Sequence, residues 1–468
     1  MNEKLNKALE EISDAHIAEA AKPKKKLPRY LISGIAAVLA VVILITVIAG
    51  PGAIRAEAVS LAADSRVTPR PLSKNYDDRD QWKQDYQKWT EEYTLRVKQT
   101  EEALSAASPL LSQLNQILLG KTGSQNRVWC PTSAYIALSM AAELAEGDTR
   151  RQLLEALGTD STDALRTNVS ALWESASGSG GLATSLWLDD SAVYDQADMD
   201  ALSYYYYASV YQGDFGSRQT QKDVKTWLNQ HTGGQLSAAA EKISLPANTV
   251  LALFSAVELE LSWDQEFSAR DNTTDTFHAA DGDISCTFMN TELEHADYYW
   301  GSSFSAVSVR LEDNCKMWLI LPDEDKTVSG VLTEGEYLET ILHADTAENC
   351  KDMRVNLSLP KFTVDSTVSL KEPLQALGVT NAFDPFGGEF RITNTSGDPV
   401  RIDDVQQSTK LIADEEGVKG FSFTWISFGA TSAAPAEDEI DFVLDRPFLF
   451  FVTNDNHVPI FAGIVNNP

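Results

Sequence analysis

The side chains best suited to covalent or metal chemistry are spaced for neither in this chain. Four cysteines, Cys130, Cys286, Cys315 and Cys350, lie far apart with no CxxC pair, which removes zinc-ribbon and dithiol redox readings. The six histidines (His16, His231, His278, His295, His343 and His457) include no HExxH and no i,i+4 pair. There is no P-loop, no GxSxG elbow and no dinucleotide fingerprint, and residues 178–181 form a Ser/Gly loop without phosphate-loop context. The chain is therefore expected not to be an enzyme and to hold no metal or cofactor.

A different chemistry is written between Asp414 and Pro447: a peptide bond offered to another molecule. Asp414, Glu415, Glu416 and Gly417 precede Val418 and Lys419, and no charge follows from Gly420 to Ala436. With 23% of residues charged, a charge-free run of that length arises in about one window in a hundred. Acid returns at Glu437, Asp438, Glu439 and Asp441. The first half alternates, with Val418, Gly420, Ser422, Thr424 and Ile426 on one side and Lys419, Phe421, Phe423 and Trp425 on the other, as in a strand. The second half, Gly429 to Ala436, is small and flexible, the composition proteases cut.

Such a stretch needs a body to hold it. The chain has 468 residues, 43% of them apolar and ten of them Trp, ample for a large core. Its net charge of −30 excludes nucleic acid as a partner, because that needs basic patches. Near the start, Tyr30 to Ala49 is free of charge and, as a helix, spans about 30 Å, the thickness of a bilayer core. A cleavable signal peptide is the rival reading, with an apolar region of usually about 7–15 residues. The basic cluster Lys22 to Lys26 precedes the run, so residues 1–28 are expected in the cytoplasm, 29–50 as a single-pass signal anchor in the plasma membrane, and the remainder outside. Residues 51–97 read as a linker and helical stalk, carrying Trp82, Tyr86, Trp89 and Tyr93 on one helix face, and 98–468 as the folded domain.

Within that domain, Leu104 to Leu119, Pro131 to Leu157 (broken at Gly147), Asp223 to Leu236 and Leu370 to Leu377 read as helices. Leu182 to Leu188, Tyr204 to Tyr207, Val210 to Phe215, Val250 to Trp263, Ala306 to Leu311, Met317 to Leu321, Val355 to Leu359 and the tail from Phe442 to Val465 read as strands. Helices come mainly early and strands later, an α+β pattern with large mixed or antiparallel sheets. Cys130 and Cys286 read as small buried hydrophobes, and a Cys315–Cys350 disulfide stays open at this point. Asn168, Asn272, Asn356 and Asn394 begin glycosylation sequons.

From about Ser105 to Pro468 the motifs resemble those of the serpins. Asn126, Trp129, Cys130, Pro131 and Ser133 are similar to the family's N-x-F-x-S-P-x-S, and Leu138, Met140, Gly147, Thr149, Gln152 and Leu157 follow at its spacings. Asp214-Phe215, Trp227 to Asn229, Thr232 to Leu236, Ser255 to Trp263, Leu359 to Phe362, Asp445 to Phe448 and Phe461 to Gly463 continue the resemblance in order. Cys130 stands where the family has serine, Ser255 where it has asparagine, and Gln406 where many members have histidine.

The resemblance implies the serpin fold, helices around large sheets with an exposed reactive loop near the C-terminus, in a membrane-anchored and bacterial-type form. It implies a monomer whose partner is a serine or cysteine protease: the loop is cut, its N-terminal part inserts into the central sheet as a strand, and the acyl-enzyme is trapped. On this reading Glu415, Glu416, Gly417, Val418, Gly420, Ser422 and Thr424 form the hinge, and Cys130, Ser133, Ser255 and Trp263 the sheet-opening region. Family spacing from Gly417 puts the cut near Thr431–Ser432, with Ala430, Thr431, Ser432 and Ala433 as candidates. These small residues suit an elastase-like or subtilisin-like protease. Phe421, Phe423 and Trp425 depart from the usual alanines, and leave open a non-inhibitory scaffold tethered to the membrane.

Overall fold

The computed structural model describes residues 71–72, 75–76, 78–177, 181–243, 245–246, 248–384, 388–397, 400–418 and 438–468. All belong to one compact unit, Ala56–Pro468. The expected anchor at 29–50 and bait at 430–433 lie outside these residues. No helix among the described residues is long and apolar enough to cross a membrane.

Helix α1 (Arg79–Leu119) leads to β1 (Arg127–Trp129), α2 (Pro131–Leu144), α3 (Gly147–Ala156), α4 (Thr162–Ser177), β2 (Gly181–Leu188), β3 (Ala192–Val193), α5 (Gln196–Tyr205), β4 (Ala208–Gln212), α6 (Arg218–Gln230) and the short α7 (Ser237–Ala240). Strands β5 (Leu251–Glu258), β6 (Leu261–Ser262), β7 (Thr273–Ala279), β8 (Gly282–Trp300), β9 (Phe304–Arg310) and β10 (Lys316–Pro322) follow, then α8 (Val328–Glu334) and α9 (Glu336–Leu342). The chain ends with β11 (Cys350–Pro360), β12 (Phe362–Ser369), α10 (Lys371–Ala376), β13 (Thr393–Asn394), β14 (Gln406–Ala413), β15 (Gly417–Val418), β16 (Glu439–Val443), β17 (Phe448–Thr453) and β18 (Pro459–Val465).

One large mixed sheet runs β1-β18-β17-β10-β9-β8-β11-β16, with β7 on β8. A second sheet comes in two pieces, β4-β2-β5 and β12-β14-β15-β6. Because β5 and β6 are nearly continuous in the chain, the two pieces meet at the two-residue strand β15. Along β5 and β6, Leu253, Val257, Leu259 and Leu261 turn to the main cores, while Ala252, Phe254 and Ala256 pack under α6 with Val224 and Trp227. The alternation is unbroken from one strand to the next, so both belong to one pleat.

Several local expectations gave way to tertiary packing. Tyr204 and Tyr205 end helix α5 rather than opening a strand, because Asp195 caps that helix and Met199 and Leu202 bury its inner face. Helix α6 begins at Arg218, where the Ser217 hydroxyl accepts from the Thr220 amide at 3.1 Å. Helix α1 runs without a break from Arg79 through residues 97 and 98 to Leu119. Among the described residues none of the four cysteines is in a disulfide. Cys350 pairs with Tyr299 on β8, and Cys315 sits at the start of β10, three strands away. At about 4.8 Å per strand that separation is beyond the reach of a disulfide.

Candidate functional site

Strand β14 runs into a tight turn at Asp414–Gly417 and returns as β15, with Ala413 paired to Val418. The Asp414 amide donates to the Gly417 carbonyl at 3.1 Å. The Asp414 carboxylate accepts from the Glu416 amide at 3.0 Å, the self-bonding that makes aspartate a turn residue. β15 then lies between β14 and β6, with Gly417 opposite Ser262 and Val418 opposite Leu261. Gly417 is required by proximity: a Cβ there would stand 2.2 Å from the Leu261 carbonyl oxygen. Val418 is 1% exposed and joins the core between the sheets, the position an uncharged inward-facing residue needs.

Three successive carbonyls of the turn are held by one segment after β6. The Trp263 indole Nε1 donates to Asp414 O at 2.8 Å, the Trp263 amide to Glu416 O at 3.2 Å, and the Phe267 amide to Glu415 O at 3.1 Å. The Glu415 carboxylate meets the Lys361 ammonium at 2.5 Å and accepts from Asn272 Nδ2 at 2.7 Å. Lys361, chiefly, and Asn272 hold its pKa down to about 2 against its partial burial.

A second cluster lies farther along β14 and β5. Cys130 precedes α2, and Gln407 clasps its backbone on both sides: the Cys130 amide donates to Gln407 Oε1 at 2.7 Å, and Gln407 Nε2 donates to Cys130 O at 2.9 Å. Burial pushes the Cys130 thiol up to about 12, which makes it an inert filler. Ser133 Oγ donates to Ser255 O at 3.4 Å, and the buried Ser255 Oγ has no hydrogen-bond partner among the described residues. No ladder joins β5 to β14 at this level among the described residues.

The structure thus divides the expected sheet-opening set. Trp263 serves the Asp414–Gly417 turn, whereas Cys130, Ser133 and Ser255 gather around Gln407. Gln406, the expected replacement for a histidine, points outward and donates to Asp404 Oδ2 at 2.7 Å. The inward phase of β14 is Gln407, Thr409, Leu411 and Ala413, so the residue facing Cys130 is one further along. Lys361, Asn272, Phe267 and Gln407 were not foreseen. Lys361 and Asn272 stood within a noted motif and a noted sequon, but neither carried a sign of its partner. Gly420, Ser422, Thr424, Ala430, Thr431, Ser432 and Ala433 lie outside the described residues. Beyond the loop, β16 pairs in parallel with β11 from Arg354–Glu439 to Ser358–Val443.

The profile of the family described as Serpin (serine protease inhibitor) matches residues 106–468. The chain belongs to the serpin family. As a member of a family of protease inhibitors this serpin is not an enzyme. It is 26% identical over 358 residues to Serpin-Z10 of Arabidopsis thaliana, covering 73% of this chain and 92% of that protein. It is 23% identical over 375 residues to alpha-1-antiproteinase S of Cavia porcellus, covering 75% and 87%. Among solved structures it is similar to the thermophilic serpin tengpin in its native state, with a TM-score of 0.67 and 24% identity over 78% of this chain and 93% of that one. The native stressed conformation of Arabidopsis AtSerpin1 gives a TM-score of 0.66 with 22% identity, covering 80% and 98%. These likenesses show the serpin fold, an α+β arrangement with large sheets, as the motifs implied.

Proposed function

We propose that this serpin inhibits a serine-type protease by offering its loop as bait and inserting the cut strand between β5 and β14. The observation that carries this reading is the seat of Gly417 and Val418. They already form the first two residues of a strand antiparallel to β14, at the head of the seam where β5 and β14 are unladdered among the described residues. Extending that strand requires no new turn. The far end of the loop is anchored separately in β16, so a cut between the two anchors frees one half to move while the other stays.

The bait composition favours an elastase-like or subtilisin-like target, since Ala430 to Ala434 fit a shallow pocket and contain no Lys or Arg. The apolar run from Tyr30 to Ala49 supports a membrane-tethered, single-pass form with the inhibitor domain outside the cell. The test is incubation of the full chain with a pancreatic elastase or a subtilisin, followed by denaturing electrophoresis. A covalent, SDS-stable complex is the expected result. Clean cleavage by every protease tried, with no adduct, overturns the inhibitory reading in favour of a tethered scaffold.

A further inference from the structure

Strand β16 ends the path of the large sheet and is paired on one side alone among the described residues, in parallel with β11. At the two ends of this ladder the Arg354 amide donates to Asp438 O at 2.9 Å and the Leu444 amide to Ser358 O at 3.0 Å. A parallel ladder engages alternate residues of a strand, so Asp438, Ile440, Phe442 and Leu444 serve β11. The amides and carbonyls of Glu439, Asp441 and Val443 face away from β11, and none of them has a partner among the described residues. Such a row is a template for one more strand.

The side chains along this edge define what that strand must carry. Asn356 Nδ2 donates to Glu439 Oε1 and to Asp441 Oδ1, each at 2.9 Å, so both carboxylates share one face of the sheet with Val443. Neither carboxylate is paired with a cation among the described residues. Ile440 and Phe442 turn the other way, and the Phe442 ring meets Tyr298 edge-on at 6.4 Å. Beside the strand lies a cleft of about 240 Å³ with an apolar wall of Tyr298, Leu321, Phe442 and Val443 and with acid from Asp323 and Asp441. Arg446, the one cation lining it among the described residues, is engaged by Pro322 O and Asp445.

We infer that the open edge of β16 docks an extended segment of a partner protein in which basic and apolar side chains alternate. Backbone hydrogen bonds come from Glu439, Asp441 and Val443. Lysine or arginine side chains of the partner lie opposite Glu439 and Asp441, and an apolar side chain between them enters the cleft. Charge selects this occupant over a second copy of the chain, because two β16 edges laid together set Glu439 and Asp441 against like charges. The surface is separate from the β5–β14 seam, and the inference stands whether or not this serpin traps a protease.

The experiment measures binding of a fluorescent peptide of alternating lysine and valine to the full chain by anisotropy. The unaltered protein should bind it, less tightly as salt is raised, and should bind the matching glutamate–valine peptide at least about tenfold more weakly. Val443→Pro removes one outward donor and leaves the ladder to β11 and the net charge as they were. It should weaken the lysine–valine peptide about fivefold, the effect of one backbone hydrogen bond. Asp441→Asn, an exposed change, should weaken it about threefold and flatten the salt dependence, and it keeps the test decisive if the proline strains the strand. No binding by the parent overturns the site. So does undiminished binding by either variant, which would make the attraction one of overall charge. Self-association of the parent in sedimentation that is lost in Val443→Pro would give the edge to a second copy and overturn the inference as well.

Discussion

The head and the middle of the seam are held by opposite means. At its head the turn Asp414–Gly417 is fully engaged: three carbonyls are bonded, Glu415 is paired with Lys361 and Asn272, and Gly417 fits where no Cβ can. Midway along, the contacts around Cys130, Ser133 and Gln407 are neutral, and the Ser255 hydroxyl is unused among the described residues. Charge and close packing fix the point where the strand starts. The middle is held by hydrogen bonds that bridge to α2 and do not zip β5 to β14. A sheet built this way has its register set at β15, while β5 and β14 stay unladdered among the described residues.

The largest effect should come from the head. Val418→Arg places a charge where the native side chain is 1% exposed, and removing that seat should cost about 3 kcal/mol or more. Thermal unfolding should fall, and the molar ratio of inhibitor needed to silence the protease should rise at least tenfold; an unchanged ratio would mean the strand does not start at Val418. Gly417→Ala is next, at about 2 kcal/mol by denaturant unfolding, because its Cβ meets a backbone carbonyl that cannot rotate away.

The middle is tested by a pair of neighbours. Gln407→Leu leaves the Cys130 amide and carbonyl without their partner and should cost about 1–2 kcal/mol, whereas Gln406→Leu should change stability by about 0.5 kcal/mol or less. Equal costs would break the distinction between inward and outward phases of β14. Glu415→Gln should be milder still, about 1 kcal/mol at neutral pH, and should also change the acid response. The folded Glu415 carboxyl sits at about 2, below the ordinary glutamate value, so its contribution is complete above that ordinary value. It is lost as pH falls through about 2. Loop susceptibility to an acid-active protease should therefore rise between those limits in the parent and be already raised, and flatter with pH, in Glu415→Gln. The smallest effect belongs to Ser255→Ala, near neutral in the uncut protein, since it removes a hydroxyl with no partner among the described residues. A large loss there would show that the middle is held as tightly as the head.

Sequence motifs carried the family, because they recur in a fixed order, and they singled out residues 415–418 and Trp263, which the structure brings together at one turn. It also marked the charge-free run from Gly420 to Ala436 and the apolar run from Tyr30 to Ala49, which are properties of composition. It could not carry Lys361 and Asn272 to Glu415, since Asn272 is 143 residues away and the contact exists only through sheet register. Nor could it choose Gln407 over Gln406: a one-residue shift in strand phase exchanges core for solvent, and that phase is set by Thr409, Leu411 and Ala413 packing inward. The split sheet, open between β5 and β14 among the described residues and bridged at β15, belongs wholly to the tertiary structure. Strands as apolar as these can pair in many ways, and only the competition among neighbours for hydrogen bonds and buried area selects the one that leaves a seam.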